Sequence, residues 1–324
     1  MSWGLLALCT AAAAVFAWAS SACAGVGLVV GHRWLARTTP AAHARLLFVV
    51  ALLPALVTLL LLGASLAPAF GWVPDHCRAD GDPHTDHPHV CGHHAVGWPG
   101  WPVALLVGLF GFSFALALGR VAWHMLQAER TAQRLAAVAG QPRGDGAYLL
   151  AAAAPQAFVL GVWKPRFFLT QGLANSTAQA HLAAVFAHEA AHLRRRDTLR
   201  GLLADLGCSL HLPGVAGWVR ARLGHANEMA ADEEAAAAVG SRLAVAQALV
   251  DLARRAAAQP YGAHAFAEVG IVGRVESLLH EGPRSGQPSH LWLGGALVAA
   301  LAAAMWHTQA IHHGIEQLLG ALQP

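Results

Sequence analysis

The sequence has 324 residues, of which 56% are hydrophobic and 12% charged, with a formal net charge of +3 and a mean hydropathy of +0.45. A soluble domain carries about 25% charged residues, so composition excludes a fully soluble chain and points to several membrane spans plus one modest polar domain. The small net charge, with no basic run interleaved with aromatics, argues against direct nucleic-acid binding.

A helix needs about 20 apolar residues to cross a bilayer, and four stretches reach that length. The first, residues 4–30, is uncharged. It lacks a basic leader and a clear cleavage site, which predicts a retained span rather than a signal peptide. The second, residues 46–70, contains Pro54, which a spanning helix tolerates as a kink. The third is 101–126. The fourth, 290–311, has Trp292 and Trp306 near its opposite ends, as interfacial anchors would be. The loop between the first two spans holds Arg33, Arg37 and Arg45 and no acid, whereas residues 71–100 hold Arg78 against Asp75, Asp80, Asp82 and Asp86. The positive-inside rule then puts the first loop and the segment 127–288 in the cytoplasm, and both termini outside. The organisation expected is a membrane region 1–126, a cytoplasmic domain 127–288, and a fourth span with a short extracytoplasmic tail over 289–324. This describes a multi-pass protein of a bacterial inner or plasma membrane, in contact with the lipid bilayer and compatible with a homodimer.

The outer loop concentrates His76, His84, His87, His89, His93 and His94 around Cys77 and Cys91. Such a tract suits an additional metal ion, a loop stapled by one disulfide in an oxidising compartment, or a pH sensor. Cys9, Cys23 and Cys208 lie in apolar surroundings and read as small buried residues.

Within 127–288, "QAFVL" (156–160) and "RFFLT" (166–170) read as two strands joined by a turn at Gly161 and Pro165. This hairpin either offers an edge to an extended peptide or only covers the next helix. Residues 186–197, "FAHEAAHLRRRD", contain H-E-x-x-H. On a helix His188 and His192 share one face and can present two imidazoles to one zinc ion. Glu189 faces the same cleft and can take a proton from a water that the metal has acidified. A chain of this composition produces the motif by chance about 3% of the time. The flank has helical apolar periodicity in Leu182, Val185, Phe186 and Leu193, with Ser176 or Thr177 as N-cap and Arg194, Arg195 and Arg196 at the C-terminus.

A third ligand is needed, and "HANEMAADEEA" (225–235) puts Glu228 and Asp232 four apart on another helix. Glu228 completes a His₂Glu set, and Asp232 can accept from the other ring nitrogen of a ligand histidine. The alternative is an ordinary acidic helix face. Asp197 is either a similar histidine partner or the N-cap of the following helix. Residues 199–219, apolar but broken by Pro213 and Gly214, predict a hairpin against or slightly into the inner leaflet rather than another span.

The series "FAHEAAHLRRRD", "CSLHLPGVAGW" and E-x-x-A-D, preceded by "APQAFVLGVWKPRFFLT", resembles the BlaR/MecR-type (antirepressor) membrane zinc metallopeptidases. The resemblance implies an α-helical integral membrane protein with four transmembrane helices and a cytoplasmic α+β gluzincin-like zinc domain between spans three and four. It puts one catalytic Zn²⁺ on His188, His192 and Glu228, the catalytic role on Glu189 and the supporting role on Asp232. It implies a polypeptide substrate, in particular a cytoplasmic winged-helix repressor or the chain itself. Relatives that sense β-lactams carry a penicillin-binding domain with Ser-x-x-Lys. Here Lys164, the sole lysine, follows Gly161 by three positions, so acylation by β-lactams is excluded. The HtpX-type quality-control peptidases are an alternative, although they usually have arginine three residues before the glutamate ligand, where this chain has His225. A metal sensor without proteolysis is another.

Overall fold

The computed structural model describes residues 3–35, 37–67, 100–257 and 264–280, with isolated positions after 298. The histidine-rich loop, with Cys77, Cys91, His76, His84, His87, His89, His93 and His94, lies outside the described residues, as does nearly all of the predicted fourth span.

The chain opens with α1 (Trp3–Val30), the short α2 (His32–Leu35) and α3 (Pro40–Leu66), followed by α4 (Trp101–Ala139). Helices α1, α3 and α4 are each long and apolar enough to cross a membrane. They correspond to the first three predicted spans. Thr39 caps α3 by accepting from Ala42 N, and Pro40 occupies its first turn, where no backbone donor is missed. Leu105, Leu109, Phe112, Leu116 and Leu118 of α4 are exposed, as side chains facing lipid would be. This helix does not stop at 126. It runs on to Ala139 because residues 127–139 contain neither Gly nor Pro, and it ends at Gly140, whose φ is +79°.

The polar end of α4 leads to a three-stranded sheet, β1 (Tyr148–Leu150), β2 (Ala157–Leu160) and β3 (Arg166–Thr170), in the order β1-β3-β2. The predicted hairpin is β2–β3, antiparallel, with Phe158 opposite Phe168. Its turn uses Gly161 at φ +107°, a conformation that a Cβ would strain. Glu129 of α4 accepts from Val162 N at 3.2 Å, which fixes that turn to the helix. The strand β1, parallel to β3, is an addition to the sequence reading. Central β3 buries Phe167, Phe168 and Leu169, with Phe168 ringed by Tyr148 and Phe158 at 5.5 Å each. Strand β2 is left at the sheet edge.

The rest of the described chain is helical: α5 (Gln171–Ser176), α6 (Gln179–Arg195), α7 (Asp197–Cys208), α8 (Pro213–Val239), α9 (Arg242–Ala257) and α10 (His264–Leu279). The expected N-cap of the H-E-x-x-H helix is corrected here. Ser176 closes α5 and donates back to Gly172 O, so α6 starts after Ala178, without a side-chain cap. The apolar segment 199–219 does break before Pro213, between α7 and α8, and its second arm does not end at 219. It continues as α8 through the acidic segment. Alanines 184, 235, 236, 246 and 248 sit at the crossings of α6, α8 and α9, where small side chains let the helices approach closely.

Candidate active site

Helix α6 presents His188, Glu189 and His192, and α8 crosses it to bring Glu228 and Asp232 alongside. His188 Nε2 and His192 Nε2 lie 3.1 Å apart. The Glu228 carboxylate oxygens lie 3.5 Å from the first and 3.6 Å from the second. Four ligands on a tetrahedral zinc at 2.0–2.1 Å stand about 3.3 Å from one another, so these three donors are already at zinc spacing. Among the described residues they form the group able to hold a metal ion.

The outward ring nitrogens are also occupied. Asp197 Oδ2 lies 2.8 Å from His192 Nδ1 and is fixed from behind by Arg195 and Arg200. Of the two sequence readings of Asp197, the histidine partner is therefore the one realised, while Arg196, in the left-handed conformation at φ 52°, takes the cap position. Asp232 Oδ1 approaches His188 Nδ1 to 2.9 Å, at an angle too poor for a well-aligned hydrogen bond. Each imidazole is thus turned so that its Nε2 faces the common centre, as carboxylate partners turn zinc-binding histidines.

Arg274 of α10 is the residue that sequence reading missed. Its Nε and one terminal nitrogen hold the two oxygens of Asp232 at 2.7 and 2.8 Å, and its other nitrogen reaches Glu228 Oε2 at 3.0 Å. No local motif marks it, since it lies 42 residues from Asp232 in a segment without unusual composition. Where HtpX-type peptidases usually have an arginine this chain has His225, and the cation beside Glu228 comes instead from α10.

The electrostatics suit a cation at the centre. Burial opposes charge on His188, yet the Asp232 and Glu228 carboxylates hold its imidazole up to about 9. Burial also opposes charge on Glu228, but His188 and Arg274 hold it down to about 2. Both directions are those of a site that favours positive charge at its centre, and a histidine ligand would have to be neutral to hold a metal there. Burial pushes the Glu189 carboxyl up, against the pull of both histidines. That direction brings it nearer the range useful to a base at neutral pH.

Beside the metal group opens a cavity of about 460 Å³. Gln156, just before β2, and Phe158 within it line this cavity together with the apolar Val245, Leu249, Leu252 and Ala253 of α9 and with His188, Glu189 and Glu228.

An H-E-x-x-H helix, a glutamate from a crossing helix and an edge strand beside them define a metallopeptidase. The sequence model of peptidase family M48 matches residues 123–287, just over half of the chain, and the chain belongs to that family. It is a zinc metallopeptidase, membrane-associated through its apolar helices and acting on polypeptides. No curated protein and no solved structure gives a match. The antirepressor type is a finer assignment than the family match carries.

Proposed function

We propose that the chain is a membrane-embedded zinc endopeptidase that cuts an extended segment of a cytoplasmic protein, with His188, His192 and Glu228 as metal ligands and Glu189 as general base. The observation that carries this reading is the convergence of the three donors, two of which line an apolar cavity together with Glu189 and residues of the edge strand β2. When bound, zinc acts as a Lewis acid that acidifies water and polarises a carbonyl. Glu189 accepts the proton of the attacking water and passes it to the amine nitrogen as the C–N bond breaks. Strand β2, at the sheet edge among the described residues, can pair with a substrate backbone, and the cavity takes a neighbouring side chain.

Two expectations follow from these contacts. Asp197→Ala leaves His192 Nδ1 without its partner and should weaken zinc binding about 10–100-fold, read by competition with a chelator. Ala253→Phe narrows the cavity. It should lower kcat/KM about tenfold for peptides with a leucine or phenylalanine beside the scissile bond and leave alanine peptides nearly unchanged. Equal losses for both peptide sets would show that this cavity does not hold the substrate.

The cytoplasmic placement is supported by the arginine-rich loop between the first two spans, and a winged-helix repressor as substrate by the antirepressor resemblance. The test is co-expression with a candidate winged-helix repressor. One defined cut, absent in Glu189→Gln, supports the signalling role. Equal cleavage of unrelated misfolded membrane proteins would replace it with quality control.

A further inference from the structure

The corner between α7 and α8, residues 209–212, is not on the surface of the peptidase region. His211 is 4% exposed and Ser21 of α1 is fully buried. Leu212 N donates to Ser21 Oγ at 3.0 Å, and the Ser21 hydroxyl lies 3.0 Å from His211 Nδ1. The serine thus accepts from the backbone and donates to the ring, which leaves Nε2 as the protonated nitrogen. That N–H points at Val50 O of α3, 3.1 Å away.

Val50 is four residues before Pro54, which is itself fully buried. In a helix the N–H of residue 54 would bond the carbonyl of residue 50, and proline has no N–H. His211 therefore supplies the donor that Pro54 withholds. The remaining corner amides are satisfied as well: Leu210 N bonds Gly207 O and His211 N bonds Cys208 O. Gly207 lets α7 lie directly on α3, because a Cβ there would run into the Ala51 carbonyl. An apolar seal of Leu47, Ala51, Ala204, Cys208 and Val219 surrounds the contact.

The depth is what matters. Val50 stands ten residues into α3, about 15 Å along its axis, and Ser21 nine residues before the end of α1, about 14 Å. Against a hydrocarbon core of about 30 Å, and with the second span predicted to begin at residue 46, the corner lies inside the membrane region but short of the mid-plane. Non-helical backbone is tolerated at that depth only when protein satisfies its polar groups, which is the condition met here. The two helices that leave the corner both end at the metal group. Helix α7 starts with Asp197, the partner of His192, and α8 carries Glu228 and Asp232 without a break.

We propose that the α7–α8 corner is a re-entrant wedge latched inside the membrane helices by His211, which satisfies the Val50 carbonyl orphaned by Pro54, and that His211 is thereby a positioning residue for Asp197 and Glu228. The kink residue of α3 is then the receptor for the wedge. A shift of α1 against α3 would be felt at the metal ligands through two rigid helices. The positioning role rests on the metal-site reading above; the latch itself does not.

The test is a double-substitution cycle on the full chain in lipid nanodiscs, with the thermal midpoint and zinc affinity measured on the same samples. His211→Leu should lower the midpoint and weaken zinc binding about tenfold, the scale of one lost buried hydrogen bond. His211→Gln keeps an N–H donor and should retain most of both. Pro54→Ala restores a helical donor to Val50, so in that background His211→Leu should lose much of its effect. Equal penalties in the two backgrounds, or a Gln variant as impaired as Leu, would overturn the latch. If His211→Leu alone does not fold, its recovery by Pro54→Ala supports the latch and its failure to recover overturns it. Coupling in the midpoint with unchanged zinc affinity would keep the wedge and overturn the positioning role. A wild-type chain that binds no zinc would instead overturn the metal-site reading, leaving the wedge to the midpoint cycle alone.

Discussion

Glu189→Gln should bind zinc as the wild type does and lose peptidase activity by about 10²–10⁴-fold, the range carried by a positioned general acid–base group. The substitution keeps the shape and removes the proton acceptor. Glu189 is not among the three donors grouped at the centre, so its charge is not required for the ion to stay. Its carboxyl is raised by burial and is surrounded by His188, His192, Glu228 and Arg274. An amide there costs little solvation and leaves the ion-pair network between Arg274, Asp232 and Glu228 in place. Zinc content is read by metal analysis and activity by cleavage of a β-strand-forming peptide in the same preparation. Loss of zinc together with activity would mean that Glu189 is a structural part of the metal site. Undiminished cleavage would remove the mechanism altogether.

Much of this site is legible in the sequence because its parts are local. The pair His188/His192 is a four-residue spacing on one helix, and Glu228/Asp232 repeats the spacing on the next long one. The length of the apolar runs also gives the three apolar helices, and the turn residues Gly161 and Pro165 the β2–β3 hairpin. What escapes is what depends on contact across the chain. Arg274 has no motif, and its identity as the cation beside Glu228 and Asp232 exists only once α10 packs on α8. Strand β1 is three residues long and borders an alanine run, too short for alternation to be read. Pro54 reads from sequence as a tolerated kink, and only the packing of the α7–α8 corner shows that its missing N–H is replaced by that of His211, 161 residues from the Val50 carbonyl. The long apolar α8 hides its role for a similar reason. Its first half packs into a core shared with α1, α3 and α7 and its second half is part of a metal site, so no single period describes it.

The second large effect is expected at Arg274. Asp232 is 1% exposed, and Arg274 is the cation that holds both of its oxygens. Removing one partner of a buried pair leaves an uncompensated charge and costs about 3–5 kcal/mol, whereas removing both is often close to neutral. Arg274→Met should therefore destabilise the chain by roughly that amount and release Glu228 Oε2 from its 3.0 Å contact, so zinc binding falls too. Arg274→Lys keeps the charge but loses the fork that grips Asp232 and Glu228 together, and should recover only part of the stability. Adding Asp232→Asn to Arg274→Met removes the stranded charge. The double variant should regain most of the lost stability but not the zinc affinity, because His188 Nδ1 then faces a neutral amide instead of a carboxylate. Denaturant midpoints and chelator competition on these variants, on Asp232→Asn alone and on the wild type separate the two quantities. Additive losses of stability in the double variant would mean that Arg274 and Asp232 act independently. Zinc affinity recovering in step with stability would mean that the pair only holds α10 on α8 and does not tune the metal ligands.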